Sequence, residues 1–358
     1  MIFQRALLRE FASLAGAVFL ALFAISLTTR LIRLLGQAAG GKFPTDAVLA
    51  FLGFFALTSL PVLLSLTLFV TVLLSVARSY RDSEMVIWFS SGLPLTAWLR
   101  PVLTFALPLV ALIAALSLFI APWAVETGAK YRSQLDARDD LSRVSPGVFG
   151  ESTGRDRVFF VESVAGDEAS VQNVFVNSVQ HRQHGVMTSQ RGHAETAANG
   201  DRFLVLESGR RYEGAPGDVE YRVMEFERYA MRIEAREGGP PEASPKNVTT
   251  RALIADPSPA HLGELVWRVG VPVLALVLAL LAIPMGFVNP RAGRSINLLF
   301  ALLAYMVYSN LLSISQARVA QGKLEFGIGL WLVHGVMVAA LLLMFAHRMQ
   351  VLRLLRRS

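Results

Sequence analysis

From Val48 to Ala77 the chain runs for thirty residues without a charged side chain, ~45 Å of helix at a rise of about 1.5 Å per residue. A hydrocarbon core about 30 Å thick is crossed by about 20 apolar residues. A run of this length belongs in a bilayer, where it must tilt, kink or extend beyond the lipid, and Pro61 offers the kink. Five more segments have spanning length: Phe11–Leu35, Val102–Trp123, Leu265–Val288, Ser295–Gln316 and Gly327–Ala346. Pro108 and Pro272 interrupt the third and fourth spans in the same way. The first span follows Arg5 and Arg9 as a signal peptide would. Its 19 uncharged residues from Phe11 to Thr29 exceed a signal core, however, and no small-x-small cleavage site precedes Arg30, so it reads as a retained span. The composition agrees, with 53% hydrophobic and only 17% charged residues against about 25% charged in soluble domains.

The net charge of +7 could suit nucleic acid. In a chain this apolar, basic residues serve topology and lipid phosphates instead, and no nucleic-acid partner is expected. On one side of the membrane the short segments carry eleven: Arg5, Arg9, Arg78, Arg81, Arg100, Arg291, Arg294, Arg348, Arg353, Arg356 and Arg357. The other side carries five, Arg30, Arg33, Lys42, Arg318 and Lys323. The richer side faces the cytoplasm, which puts both termini there and the segment Ala124–Glu264 outside. That segment changes composition. Val158–Val161, Val174–Val176, Phe203–Leu206 and Tyr221–Phe226 are short β-rich runs punctuated by turn signals at Gly166-Asp167, Asn199-Gly200-Asp201 and Gly214–Gly217. Such a pattern predicts an all-β, sandwich or jelly-roll-like domain. Glu126–Arg143 reads as a helical continuation of the third span, and Gly238–Pro259 as a linker rich in Pro, Gly and Ser. The fold class is therefore a membrane α-helical protein, six spans arranged three and three around an inserted β domain. Residues 1–123 hold spans one to three, 124–262 the insert with its flanking linkers, and 263–358 spans four to six and the C-terminal tail.

Few residues point to chemistry. Gly36–Phe43 has the frame of a phosphate-binding loop, but Phe43 stands where magnesium needs a hydroxyl, and a span rather than a strand precedes it. No nucleotide hydrolysis by the chain itself is expected. The absence of cysteine removes disulfides and thiolate chemistry. His181 and His184 lack further ligands at metal-binding spacing and read as loop residues. His334 lies within the sixth span, where a neutral imidazole bonding a neighbouring helix competes with a functional role. No acidic residue sits in a span core to form a relay with it. Ser313 and Ser315 read as helix-packing hydroxyls. With no carboxylate pair, metal cluster or nucleophile–base pair, neither an enzyme nor a cofactor is expected.

Two features remain. Between spans two and three, Asp82 or Ser83 can cap a short helix, Gly92 and Pro94 can end it, and Met85, Val86, Trp88 and Phe89 fall on one apolar face. Either an interfacial helix or one that docks into a partner through Glu84 fits this spacing, and the scarcity of Lys and Arg on its polar face favours docking. At the outer boundary, Arg30 and Arg33 share a helix face, Arg268 and Arg318 sit at the outer ends of spans four and five, and Lys42 and Lys323 lie nearby. Each alone reads as a snorkelling anchor; as a set they suit an anionic headgroup, which Arg binds bidentately.

Several segments resemble the lipopolysaccharide-export permease family LptF/LptG (YjgP/YjgQ), more closely its LptF branch. They are Ile2-Phe3-Gln4-Arg5 to Arg9-Glu10, Arg30–Gly36, Ser83-Glu84 with Gly92-Leu93, Leu206–Gly214, Val288-Asn289-Pro290-Arg291-Ala292-Gly293-Arg294 and Gly322-Lys323-Leu324. The resemblance covers essentially the whole chain. It implies a permease subunit of an ABC-type exporter that takes lipopolysaccharide from the periplasmic leaflet of the inner membrane toward the outer membrane. Implied partners are a paralogous LptG-like permease, an LptB-like cytoplasmic ATPase dimer, a single-span LptC-like jelly-roll protein and an LptA-like periplasmic bridge. It also implies that Glu84, with Asp82, Met85, Trp88 and Phe89 around it, contacts the ATPase, and that Arg30 and Arg33 meet lipid A phosphates. The residues Trp88–Ser91 depart from the family pattern. A mechanotransmission protein, relaying ATPase strokes without carrying lipid, is the rival reading; its soluble domain would be expected after the first span rather than the third.

Overall fold

The computed structural model describes residues 2–40, 43–142, 149–151, 157–165, 170–180, 183–196, 202–214, 222–234, 244–287 and 296–349. Two compact units emerge, residues 1–130 with 244–358, and residues 131–243.

The first unit is helical. Helices α1 (Ile2–Ala39), α2 (Ala47–Arg81), α4 (Leu99–Ala115), α7 (Pro259–Met285), α8 (Ile296–Ala320) and α9 (Phe326–Arg348) form the frame, with the short α3 (Glu84–Ser90) between α2 and α4. A 3₁₀ turn at Leu95–Trp98 leads into α4, and a π turn at Leu116–Ile120 joins it to α5 (Ala121–Ser142), so the third span continues as a helix past Glu126 as expected. Six helical segments are long and apolar enough to cross a membrane, matching the six hydrophobic runs of the sequence. Pro61, Pro108 and Pro272 all lie inside helices that continue through them.

Helix α7 is the centre of this unit. It packs on α2, α4, α8 and α9, and most of its apolar length is buried. In lipid no hydrophobic drive holds helices together, so close backbone approach and packing must do so. Gly263 supplies such an approach: a Cβ there would lie 2.9 Å from the Gln316 carbonyl oxygen of α8. Buried polar groups bridge helices as well. Tyr308 of α8 meets Nδ1 of His334 on α9 at 2.7 Å, and the Ser315 hydroxyl donates to the Gly329 carbonyl oxygen at 2.5 Å. His334 is therefore an interhelical bonding residue, and Ser315 a packing hydroxyl. Helix α1 is the opposite of α7. It buries Phe11 against Phe105 near one end and leaves Leu20, Ile25 and Ile32 exposed.

The second unit is one antiparallel sheet. Its strands are β1 (Phe149–Glu151), β2 (Arg157–Ala165), β3 (Ser170–Gln180), β4 (Gln183–Thr196), β5 (Arg202–Gly214) and β6 (Arg222–Glu234), each paired with the next in sequence. The insert is all-β as expected, and its connectivity among the described strands is a meander. The register places Val176 opposite Met187 and Gly192 opposite Leu206; Val174, Val176, Met187 and Leu206 build the buried cluster, flanked by Leu204, Phe226, Tyr229 and Met231. The four β-rich runs seed β2, β3, β5 and β6. Strand β4 is a correction to the loop reading of His184, which pairs with Val179 and Gly214 within the sheet. Polar and glycine-rich, β4 has no apolar alternation of its own and is held by pairing on both edges. His181, Gly166-Asp167 and Asn199-Gly200-Asp201 lie outside the described residues; Gly214 is the last residue of β5.

Part of the stretch read as linker is also regular structure. Pro245–Asn247 forms a 3₁₀ turn and Thr250–Ala255 a short helix, α6, capped by the Thr249 hydroxyl, which accepts from the Ala252 amide.

Candidate functional site

The α2–α3–α4 corner is built by two backbone reversals. Helix α2 ends at Asp82, whose amide donates to the Arg78 carbonyl oxygen at 2.8 Å. Ser83 then takes a left-handed conformation, φ 61°, and α3 begins. The side-chain cap expected from Asp82 or Ser83 does not form. At the other end the amide of Gly92 donates to the Phe89 carbonyl at 3.0 Å, and that of Leu93 to the Trp88 carbonyl at 3.0 Å. That pair of bonds is a Schellman motif, and it requires the φ of +85° that Gly92 adopts. Pro94 follows, so α3 is a short, sharply bounded helix.

The face of α3 differs from the one its spacing predicts. Met85 is buried in the helical core and anchors α3 rather than offering surface. Val86, Ile87 and Phe89 are exposed, Ile87 by 65%, and Leu93 extends the patch. Trp88 is partly buried. A seven-residue helix cannot hide all of its apolar side chains, and Met85 is the one that is fully buried. Phe89 packs toward Tyr80, whose ring meets Phe287 edge-on at 5.2 Å, and the Arg348 guanidinium lies over the Phe287 ring at 4.0 Å. These ring contacts link α3 to the ends of α2, α7 and α9.

Glu84 is held from behind. Its Oε2 accepts from the Ser79 hydroxyl at 3.0 Å, and its Oε1 lies 3.5 Å from Nη2 of Arg78. The same Arg78 nitrogen donates to Oε2 of Glu10 on α1 at 2.7 Å, and Ser75 donates to Oε1 of Glu10 at 2.8 Å. Glu84 remains 39% exposed while so positioned. Asp82 pairs with its neighbour Arg81, at 3.7 Å. Neither Glu10 nor Arg78 stood out in the sequence as part of the network that holds Glu84. The signal was present in the spacing of Ser75, Arg78 and Ser79, a polar i, i+3, i+4 stripe at the end of an apolar helix.

The basic boundary residues separate into two pairs and an exception. Arg30 lies over the Phe55 ring of α2 at 5.1 Å, with Arg33 exposed one turn further along α1. Arg318 and Lys323 are brought together by a second Schellman turn: the Lys323 amide donates to the Arg318 carbonyl at 3.0 Å, around Gly322 at φ 68°. Both side chains are exposed, and among the described residues none of these four cations has a carboxylate partner. Lys42 lies outside the described residues.

Arg268 is the exception and corrects the expectation made for it. It is 2% exposed. Its Nε donates to Glu264 at 3.0 Å, Nη1 to the Thr250 hydroxyl at 2.9 Å, and Nη2 to the carbonyl oxygens of Pro245 and Lys246 at 3.2 and 3.3 Å. Thr250 in turn donates to the Leu118 carbonyl oxygen in the π turn, and Ser117 donates to the Arg268 carbonyl at 3.0 Å. The guanidinium is thus spent inside the chain, joining α6, α7 and the π turn. Glu264, also buried, is an acidic residue within a span helix that the sequence reading placed at its border. Its i, i+4 spacing to Arg268 was the available signal.

A family model described as "Lipopolysaccharide export system permease LptF/LptG" matches residues 5–347, both sets of spans and the insert between them. The chain belongs to the LptF/LptG family. "Lipopolysaccharide export system permease protein LptF" of Escherichia coli K12 is 25% identical over 343 residues, covering 95% of this chain and 93% of that protein. The protein of the same name from Shigella flexneri aligns with the same identity and coverage. Like these relatives over nearly their full length, this LptF/LptG-family permease is a multi-pass membrane protein. Of the segments that carried the resemblance, Val288–Arg294 lies outside the described residues. The Glu84 and Gly92 segment and the Gly322 segment form the two Schellman-bounded turns described above.

Proposed function

We propose that this chain is the non-catalytic permease subunit of an ABC-type exporter, which takes lipopolysaccharide from the periplasmic leaflet of the inner membrane and passes it to a periplasmic bridge. Helix α3 is its coupling helix. The observation that carries this reading is the exposed patch of Val86, Ile87 and Phe89 beside a pre-positioned, half-exposed Glu84. An apolar cluster next to a fixed carboxylate suits a protein groove lined by a cation better than lipid headgroups, which would call for Lys or Arg around it.

A cytoplasmic ATPase dimer supplies the energy, and a related permease forms the other half of the cavity. Both termini face the cytoplasm, and the β unit lies in the periplasm beside a single-span jelly-roll partner. Arg30 and Arg33 at one site, and Arg318 and Lys323 at another, meet the lipid phosphates. When the ATPase closes, it moves α3, and the ring contacts from Phe89 to Tyr80 and Phe287 carry that movement toward α7. The amphiphile is then displaced toward the β unit.

The test is lipopolysaccharide release from proteoliposomes holding the complete complex. Glu84→Arg is expected to uncouple it, with release falling at least about tenfold, as loss of a paired interfacial charge does. Wild-type release and ATP turnover in that variant would rule out the coupling role.

A further inference from the structure

The network behind α3 holds one more negative charge than it neutralises. Glu10 and Glu84 are two carboxylates, and among the described residues the only cation within ion-pair distance of either is Arg78. The distances show where that cation belongs. Nη2 of Arg78 lies 2.7 Å from Glu10 and 3.5 Å from Glu84, and Glu10 is the less exposed of the two carboxylates. Ser75 completes the grip on Glu10 at 2.8 Å, whereas among the described residues Glu84 has only the Ser79 hydroxyl besides. A cation shared so unequally leaves Glu84 oriented but poorly neutralised.

We propose that Glu10 is a positioning residue of the coupling site. By drawing Arg78 toward α1, it keeps the charge of Glu84 open to a cation of the ATPase. The inference rests on α3 being the docking helix. Without Glu10, Arg78 would turn to the nearest remaining carboxylate, Glu84, and compete with the incoming cation for it. A Glu10–Arg78 pair that merely fastened α1 to α2 would have no such consequence, and the two roles differ in how a second substitution acts.

The complete permease complex in nanodiscs is titrated with purified ATPase at low and at high salt, and half-saturation is read. Glu10→Gln, which keeps the shape and removes the charge, is expected to weaken binding about threefold to tenfold at low salt and to flatten the salt dependence. Glu10→Asp should recover most of the loss. The double variant Glu10→Gln/Arg78→Gln should return to wild-type affinity, because the competing cation has gone. Arg78→Gln alone should bind at least as tightly as wild type. If the double variant binds no better than Glu10→Gln, or if Arg78→Gln alone weakens binding, the proposal is overturned. Glu84→Gln separates the two layers of the argument: wild-type binding there removes the docking reading itself and this inference with it. Loss of binding in Glu84→Gln together with wild-type binding in Glu10→Gln removes this inference alone.

Discussion

At the scale of single residues, burial decides between roles that charge alone leaves open. Arg268, Arg30 and Arg33 are all arginines near one membrane boundary, yet Arg268 is enclosed by Glu264, Thr250 and two carbonyl oxygens while Arg33 is exposed. Arg268→Ala would leave Glu264 as a buried unpaired carboxylate and strand the carbonyls of the 3₁₀ turn. Removing one partner of a buried pair costs about 3–5 kcal/mol, so a marked fall in the melting temperature of the detergent-solubilised protein is expected. Arg268→Lys should restore only part of it, since one ammonium cannot reach acceptors fanned across three directions. Arg30, half-buried over Phe55, and Arg33, exposed, behave otherwise, because neither has a carboxylate partner among the described residues. Arg30→Glu with Arg33→Glu should lower the melting temperature far less than Arg268→Ala and slow lipopolysaccharide release; release at the wild-type rate would remove their phosphate-contact role. Sequence inspection grouped Arg268 with these residues because hydropathy places a residue along the membrane normal and says nothing about its neighbours across the bundle.

At the scale of elements, the short helix α3 owes its existence to its ends. Seven residues in isolation do not nucleate a stable helix. What holds α3 is the Schellman closure at Gly92, the buried Met85 and the reversal at Ser83. Gly92→Ala forces an L side chain into left-handed space at a cost of about 1 kcal/mol. Its expected result is faster amide exchange over Val86–Leu93, with exchange in α2 unchanged, measured by hydrogen–deuterium exchange mass spectrometry. Ser83→Gly should act in the opposite sense, because serine now occupies a φ of 61° that glycine adopts without strain. The boundaries of α3 were legible because Gly-Leu-Pro is a local stop signal. Its outward face was not: Ile87 belongs to the exposed patch and Met85 does not, and only packing against the core chooses between them. Strand β4 shows the same limit, since a polar strand draws its stability from two partners rather than from its own pattern.

At the scale of the whole molecule, the proposed topology can be tested cleanly because the chain contains no cysteine. Thr188 in β4 and Ser90 at the end of α3 are both exposed. In intact cells with a permeabilised outer membrane, Thr188→Cys is expected to react with a membrane-impermeant maleimide, and Ser90→Cys only after the inner membrane is opened. The reverse pattern would invert the orientation drawn from the basic residues. Six spans, their three-and-three division and an all-β insert were readable without any structure, because each depends on runs and alternations within a few tens of residues. The family was readable too, since its motifs stand in order along the chain. Only the tertiary structure paired Glu10 with Arg78, across 68 positions of sequence, and placed Ser117 under Arg268, across 151. Such pairs are set by how helices cross, and a charge written into one helix carries no record of which distant side chain will meet it. The sequence by itself thus determined what crosses the membrane and what does not; the packing of those crossings decided which charges are spent inside the protein and which are left for a partner.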